Sequence, residues 1–325
     1  MYFLGIEIGG TKLQLGLGRG DGSLAGLWRE TVDAAAGPEG IRQQIGRAIP
    51  DLLTKTALDR SQLKGIGIGF GGPVDDATHR IIKSHQIEGW DNFPLEDWIA
   101  DLAGMPAVLG NDADCAGLAE ALFGAGKDLS PIFYITIGSG IGGGLIIDGQ
   151  IYRGVGRGAA EIGHVRMTPP SGGGSGRTIL EKLASGWGIE ARARSLAVTS
   201  REAKQVLELA DGKADQITVL HLANAAGSGN EFALFLLAQA SDSLAEAICH
   251  VIALLCPRRI IIGGGVSLIG EKLLFEPLRR LVAERVFKPF AECYDICPAA
   301  LGEEVVVHGA VALARQQFDR TRTRG

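Results

Sequence analysis

Glycine is not scattered through this chain. Its 48 glycines gather largely in short loops, many of them at the end of an apolar run of strand length. Such loops constrain the fold strongly, because a glycine-tipped strand end lets backbone N–H groups converge on an anion. Tyr2 to Ile8 reads as a strand, Gly9-Gly10-Thr11-Lys12 as a turn and Leu13 to Leu17 as its partner in a hairpin. The pattern recurs: Ile132 to Ile137 is a strand, Gly138 to Gly144 the turn, and Leu145 to Ile147 a strand. Two copies of strand, glycine turn and strand form a weak internal repeat, of the kind that two similar α/β halves leave.

Between the copies, Ile41, Ile45, Ile49 and Leu52 fall on one face at helical spacing. Gly65 to Phe70 is a strand ending in Gly71-Gly72-Pro73. Leu95 to Leu102 reads as a short helix, and Ala107 to Leu109 as a strand that ends at Asn111-Asp112. A helix over Asp114 to Phe123 is expected next, with Asp114 as its cap. A third glycine cluster, Gly263-Gly264-Gly265, ends the buried strand Arg259 to Ile262. Val305 to Val307 leads into a final helix, Gly309 to Phe318. Alternating strands and helices imply an α/β fold.

Gly138-x-Gly140-x-x-Gly143 and Gly67-x-Gly69-x-x-Gly72 both match the dinucleotide fingerprint. That motif needs a helix directly after its glycines. A strand follows the first match and Pro73 follows the second. No G-x-x-x-x-G-K-[ST] loop is present. What is left is a pair of glycine hairpins whose N–H groups, with the hydroxyls of Thr11 and Ser139, suit phosphate.

Composition excludes other classes. Hydrophobic residues are 46% and charged residues 21%, a globular balance rather than a disordered one. A net charge of −5 gives no attraction to a phosphate backbone, so no nucleic-acid partner is expected. The basic tail Arg320 to Arg324 reads as a frayed end. The N-terminus lacks the features of a signal peptide. Phe232 to Leu255 is interrupted by Asp242, Glu246 and His250, which suits a buried helix better than a membrane span. Five cysteines without C-x-x-C spacing read as reduced thiols of a cytoplasmic protein.

These segments resemble the ROK family (repressors, open reading frames, kinases). Gly5-Ile6-Glu7-Ile8-Gly9-Gly10-Thr11-Lys12 resembles its first phosphate loop, and Gly69 to Asp75 its next loop. Gly110-Asn111-Asp112-Ala113-Asp114 is similar to its N-D-A-N catalytic motif. Gly138 to Gly144 resembles its second phosphate loop, Glu161-Ile162-Gly163-His164 its E-I-G-H sugar motif, and Ile262 to Ser267 its adenosine-side loop. The matches keep the family's order and cover nearly the whole chain.

The resemblance implies an α/β, two-domain actin-like ATPase (ribonuclease H-like) fold, with sugar and nucleotide in the interdomain cleft. Residues 1–110 plus 305–325 would form the smaller domain and 111–304 the larger. It implies an ATP-dependent hexose kinase acting on glucose or a close relative, with Asp112 as general base. Gly72, Gln86, Asn111, Glu161, His164 and Glu181 would contact the sugar along with Asp112. Glu7, Gly9, Gly10, Thr11, Lys12, Ser139, Gly140 and Gly142 would serve the phosphates, Glu7 through Mg²⁺ and its waters. Gly264 and Gly265 would let the backbone approach adenosine. A homodimer is implied as well. The alternative functions are a sugar-binding regulator and a sugar sensor without catalysis.

The chain departs from the family in a few places. Many ROK proteins hold zinc with the motif histidine and three cysteines; here those positions are Gly172, Gly174 and Ile179, so no structural zinc is expected. Glu7 stands where Asp is more frequent, Gln86 where many sugar kinases have Asn, and Ala160 replaces a frequent glycine.

Overall fold

The structure is a computed structural model in which residues 1–84, 88–169 and 176–319 are described. Gln86, Gly172, Gly174 and the basic tail lie outside the described residues. The chain opens with β1 (Tyr2–Ile8), β2 (Lys12–Gly18), β3 (Leu24–Thr31), α1 (Gly37–Thr56) and β4 (Leu63–Phe70). A small hairpin, β5 (Val74–Asp75) and β6 (Arg80–Ile81), leads to α2 (Leu95–Ala103), β7 (Ala107–Asn111) and α3 (Asp112–Phe123). Next come β8 (Ile132–Ile137), β9 (Ile141–Ile147), β10 (Gln150–Ile151), β11 (Arg166–Met167) and β12 (Thr178–Ile179). Then follow α4 (Leu180–Ala184), α5 (Gly186–Ala197), α6 (Lys204–Leu209), α7 (Val219–Gly227) and α8 (Glu231–Leu255). The chain finishes with β13 (Arg259–Gly263), α9 (Glu276–Arg285), β14 (Asp295–Pro298) and α10 (Val305–Phe318).

The first sheet has the order β3-β2-β1-β4-β7 and the second β10-β9-β8-β13-β14. Each reads third, second, first, fourth, fifth among its own strands. The strand–glycine–strand repeat in the sequence is therefore a repeat of sheet topology. β1 pairs antiparallel with β2 and parallel with β4, and β4 pairs parallel with β7.

The chain divides into two compact units. One comprises Met1–Tyr134, Gly144–Ala160 and Ala300–Gly325, the other Ile135–Gly143 and Glu161–Ala299. These bounds differ from the ranges expected above by placing α3, the start of β8, the segment Gly144–Ala160 with most of β9 and all of β10, and residues 300–304 in the first unit. The physical reason is that α3 packs along α10. Gly309 makes that contact close, since a Cβ there would fall 1.8 Å from the Cys115 carbonyl oxygen. Glu120, fully buried on α3, accepts the N–H groups of Ala300 and Leu301 at 2.9 Å each through Oε1, and that of Ala125 at 2.8 Å through Oε2. It pins the chain as it returns to this unit.

In the first unit the sheet has two unlike faces. Leu4, Ile6, Ile8, Leu13, Leu15 and Leu17 point into a core shared with α1 and α2. The opposite face carries Gly5, Gly16, Gly67 and Gly69, and α10 lies on it. A Cβ on Gly67 would come 1.8 Å from the Ala310 carbonyl oxygen, and one on Gly5 2.6 Å from that of Val307. Glycine inside these strands admits a second backbone at close range.

In the second unit α8 is long and apolar enough to cross a membrane by length and composition, yet 67% of its most apolar window is buried. It packs against α4, α7 and α9, as a core helix does.

The glycine face yields a paired prediction. Gly67→Ala drives a methyl group into the α10 backbone and should destabilise the protein by about 3 kcal/mol or more, read as a lowered Tm. Gly46→Ala, inside α1 with open space at its Cβ position, should raise stability by about 0.5–1 kcal/mol. Equal melting behaviour of the two variants would contradict this account.

Candidate active site

Three strand ends meet in the first unit. The first hairpin closes with the Gly9 N–H donating to the Lys12 carbonyl at 3.1 Å. The Gly71 N–H donates to the Ile8 carbonyl at 3.0 Å, tying the end of β4 to the end of β1. The Asn111 side-chain amide donates to the Gly72 carbonyl at 2.9 Å, tying β7 to the same point. Thr11 is exposed at the turn, and a small recess lined by Ile8, Gly9, Gly10, Gly71, Ser84 and Trp90 adjoins it.

The helix after β7 begins at Asp112 rather than at Asp114. Asn111 caps it, with Oδ1 accepting from Ala113 N–H at 2.9 Å and Asp114 N–H at 3.3 Å. The expected cap, Asp114, is instead buried within the first turn, because Asn111 already has the extended backbone a cap requires. Asp112 is the first helical residue. One of its oxygens accepts the Ala113 N–H at 2.8 Å, and the other lies 3.5 Å from where a Gly71 side chain would begin.

Glu7 is buried near Asp112. Burial pushes its carboxyl up to about 7; the Lys12 ammonium and the Gln14 amide pull it down, and the Asp112 charge adds to the rise. Lys12 Nζ is 3.6 Å from Glu7 Oε1 and donates to the Glu303 carbonyl at 2.9 Å.

The second unit gathers the other candidates around one residue, Ile141. The turn of the second glycine loop closes with Gly138 N–H donating to the Gly140 carbonyl at 2.9 Å, leaving Ser139 exposed. Glu181 Oε2 accepts the Ile141 N–H at 2.9 Å. Gly163 lies against the Ile141 carbonyl, where a Cβ would come within 2.2 Å. Glu161 and His164, on either side of Gly163, are both exposed, and the His164 N–H donates to the Glu161 carbonyl at 3.1 Å. The first N–H groups of α5 donate to the carbonyls of Gly138 at 2.8 Å and Ser139 at 3.2 Å, so this helix start supports the loop from its carbonyl side. Gly142 is half-buried on β9. Gly264 has φ +84° and lies against the Ile137 backbone, where a Cβ would come within 2.6 Å, while Gly265 faces open space.

Sequence reasoning passed over Gln14, Arg29 and Glu303, which surround Glu7 and Lys12. A signal was available: an amide in Lys12-Leu13-Gln14-Leu15 sits at the alternate position from two core leucines, on the face that Glu7 also uses.

Two predictions follow from local energetics. Glu7 has a folded pKa above its ordinary value near 4.5, so its contribution favours folding fully below that value and is lost as pH rises through 7. In metal-free buffer, the stability of Glu7→Gln relative to wild type should therefore grow between pH 5 and pH 8, by at most about 3 kcal/mol. A difference that stays flat with pH in thermal melts would refute it. Ala160 holds φ +62°, a left-handed conformation. Ala160→Gly should stabilise the protein by about 1 kcal/mol, and a lower Tm would count against strain at this position.

The ROK family model matches residues 3–317. A glucokinase of Thermotoga maritima is 32% identical over 98% of this chain and 98% of its own. A glucokinase of Halalkalibacterium halodurans is 32% identical over 97% of this chain and 96% of its own. The crystal structure of a ROK family glucokinase from Streptomyces griseus in complex with glucose and AMPPNP superposes with a TM-score of 0.81 at 30% identity, covering 97% of this chain and 100% of that one. With its repeated sheets, its ordered motifs and a match over nearly its full length, the chain belongs to the ROK family and has that family's two-domain actin-like ATPase fold.

Proposed function

We propose that this chain transfers the terminal phosphoryl group of ATP to a hydroxyl of a hexose, glucose or a close relative, with Asp112 as general base. Its whole-length likeness to glucokinases makes it an ATP-dependent sugar kinase. The observation that supports the base is the division of roles at the start of α3. Asn111 supplies the cap, and Asp112 has one carboxylate oxygen 3.5 Å from where a Gly71 side chain would begin, beside the point where three strand ends converge.

Phosphoryl transfer is mostly positioning and electrostatic stabilisation. By this reading Asp112 accepts the proton of the attacking hydroxyl, and Gly72, Gln86, Asn111, Glu161, His164 and Glu181 hold the sugar's other hydroxyls. Gly9, Gly10, Thr11, Lys12, Ser139, Gly140 and Gly142 receive the phosphates. Gly264 and Gly265 border adenosine. Glu181 has a second task, since its bond to Ile141 N–H braces the Ser139–Gly140 turn.

Mg²⁺ in such sites takes one or two carboxylates and fills its shell with substrate phosphates and water. Glu7 fits that demand: it is a buried carboxylate close enough to Asp112 for the two to repel. Among the described residues no group of three or more His, Cys, Asp or Glu is arranged to hold a metal, so phosphates and waters would complete the shell. When bound, Mg²⁺ screens the phosphate charge. The resemblance also supports a cytoplasmic homodimer.

The test is a coupled ADP-release assay across hexoses and N-acetylhexosamines. Wild type should turn over at least one sugar, and Asp112→Ala should lose about 10²–10⁴-fold in kcat while still binding that sugar. No turnover on any sugar would leave sugar sensing as the better reading. Turnover undiminished in Asp112→Ala would remove the base assignment.

A further inference from the structure

We propose that Gln14 is a positioning residue for the Glu7 carboxylate, locked in place by Arg29 and by the chain just before α10. The inference rests on the reading of Glu7 as the carboxylate that faces Mg²⁺.

The arrangement follows from strand register. Glu7 on β1 is directly opposite Gln14 on β2, and Gln14 is directly opposite Arg29 on β3. Cross-strand neighbours on one face are close enough to interact, and these three form a row. On its other side Glu7 is opposite Gly69, which offers no side chain. Gln14 is therefore the cross-strand partner that can hold the carboxylate.

Gln14 is fully buried. An apolar side chain would cost less to place there unless the amide were fully used. It is used on both ends. Nε2 donates to Glu7 Oε2 at 2.6 Å and to the Glu303 carbonyl at 3.0 Å, while Oε1 accepts from Arg29 Nε at 2.7 Å. The guanidinium has donors only, so it dictates which end of the amide faces it. Turned over, the amide would set N–H against N–H at Arg29 and oxygen against carboxylate at Glu7. Arg29 is held in turn by Glu303 at 2.8 Å and Glu304 at 2.7 Å. Lys12 is more loosely placed, 3.6 Å from Glu7, and is partly exposed. The shorter, buried contact from Gln14 sets the carboxylate's orientation, and the row runs from the surface acids before α10 to Glu7.

The test uses the full-length protein with Mn²⁺ as a spectroscopic stand-in for Mg²⁺ and a non-hydrolysable ATP analogue. Gln14→Met keeps the volume and removes the amide. Its Mn²⁺ affinity in the presence of the analogue, read by electron paramagnetic resonance, should fall about tenfold or more, as for other residues that orient a metal-facing ligand. The Mg²⁺ concentration for half-maximal activity should rise in parallel, while glucose affinity by calorimetry stays within about twofold. Arg29→Met acts at the half-exposed end of the row, where folding is less at risk. It should weaken Mn²⁺ uptake about threefold by loosening the amide. Unchanged Mn²⁺ affinity in both variants would overturn the proposal, as would an equal loss of glucose and Mn²⁺ binding, which marks a merely structural role. Failure of the wild type itself to take up Mn²⁺ with the analogue would overturn the reading of Glu7 together with it.

Discussion

The contact between α10 and the glycine face of the first sheet is the constraint on which the first unit depends. Helix on sheet ordinarily leaves room for side chains between the two layers. Here Gly5, Gly16, Gly67 and Gly69 remove that layer, and the Val307 and Ala310 carbonyls lie where side chains would otherwise stand. Such an approach gains dispersion contacts over a whole helix but tolerates no added methyl group. It also explains the return of the chain's end to its beginning. Glu120 accepts the N–H groups at Ala300 and Leu301 just before the helix, and Gly309 lets α3 close on α10 from the other side.

The same face becomes polar where the helix cover ends. Along β1 the row runs Phe3, Gly5, Glu7, and along β2 it runs Gly18, Gly16, Gln14 in matching register. Apolar and glycine positions serve α10; the last positions carry the carboxylate and the amide. Gly69 and Gly110 continue that final row across β4 and β7 without side chains, and Val306 and Leu313 of α10 with Cys115 of α3 pack over them up to the strand end where Asn111 and Asp112 stand. The first unit's candidates thus cluster around the carboxyl ends of β1, β4 and β7, where open α/β sheets place their ligands.

Much of this was legible in the sequence, and the parts that were not have physical reasons. β1 and β8 have the bounds expected from their apolar runs, because both are buried strands stopped by glycine. β3 and β14 were not expected: no residue of β3 is buried and it lacks clean alternation, and β14 is only four residues long. Glycine itself misled at some positions. Gly142, Gly143 and Gly144, read as turn residues, lie inside β9, while Gly5, Gly16, Gly67 and Gly69, read inside strands, serve a purpose that depends on a helix some 240 to 300 residues away in the chain. The site motifs were legible as types in order, and so was the face that Gln14 shares with Glu7, but the partners of Gln14 were not, since Arg29 and Glu303 reach it only through register and the return of α10.

The E-I-G-H segment shows how a motif can be held without cysteines. Gly163 fits its turn against the Ile141 carbonyl, and the Val165 N–H donates to the Ile162 carbonyl at 3.1 Å. Beyond the turn, β11 pairs with β12, setting Arg166 opposite Ile179 and Met167 opposite Thr178. Ile179, which occupies a family cysteine position, is thus a strand partner, and the Leu180 N–H that follows it donates to the Val165 carbonyl at 2.9 Å. Met167 and Leu180 are buried on either side of this two-stranded ladder. Backbone pairing and two buried side chains fix both ends of the segment that runs from His164 to Glu181. Ile141 contacts the elements that carry both residues, through its carbonyl against Gly163 and its N–H to Glu181, which ties each of them to the second glycine loop.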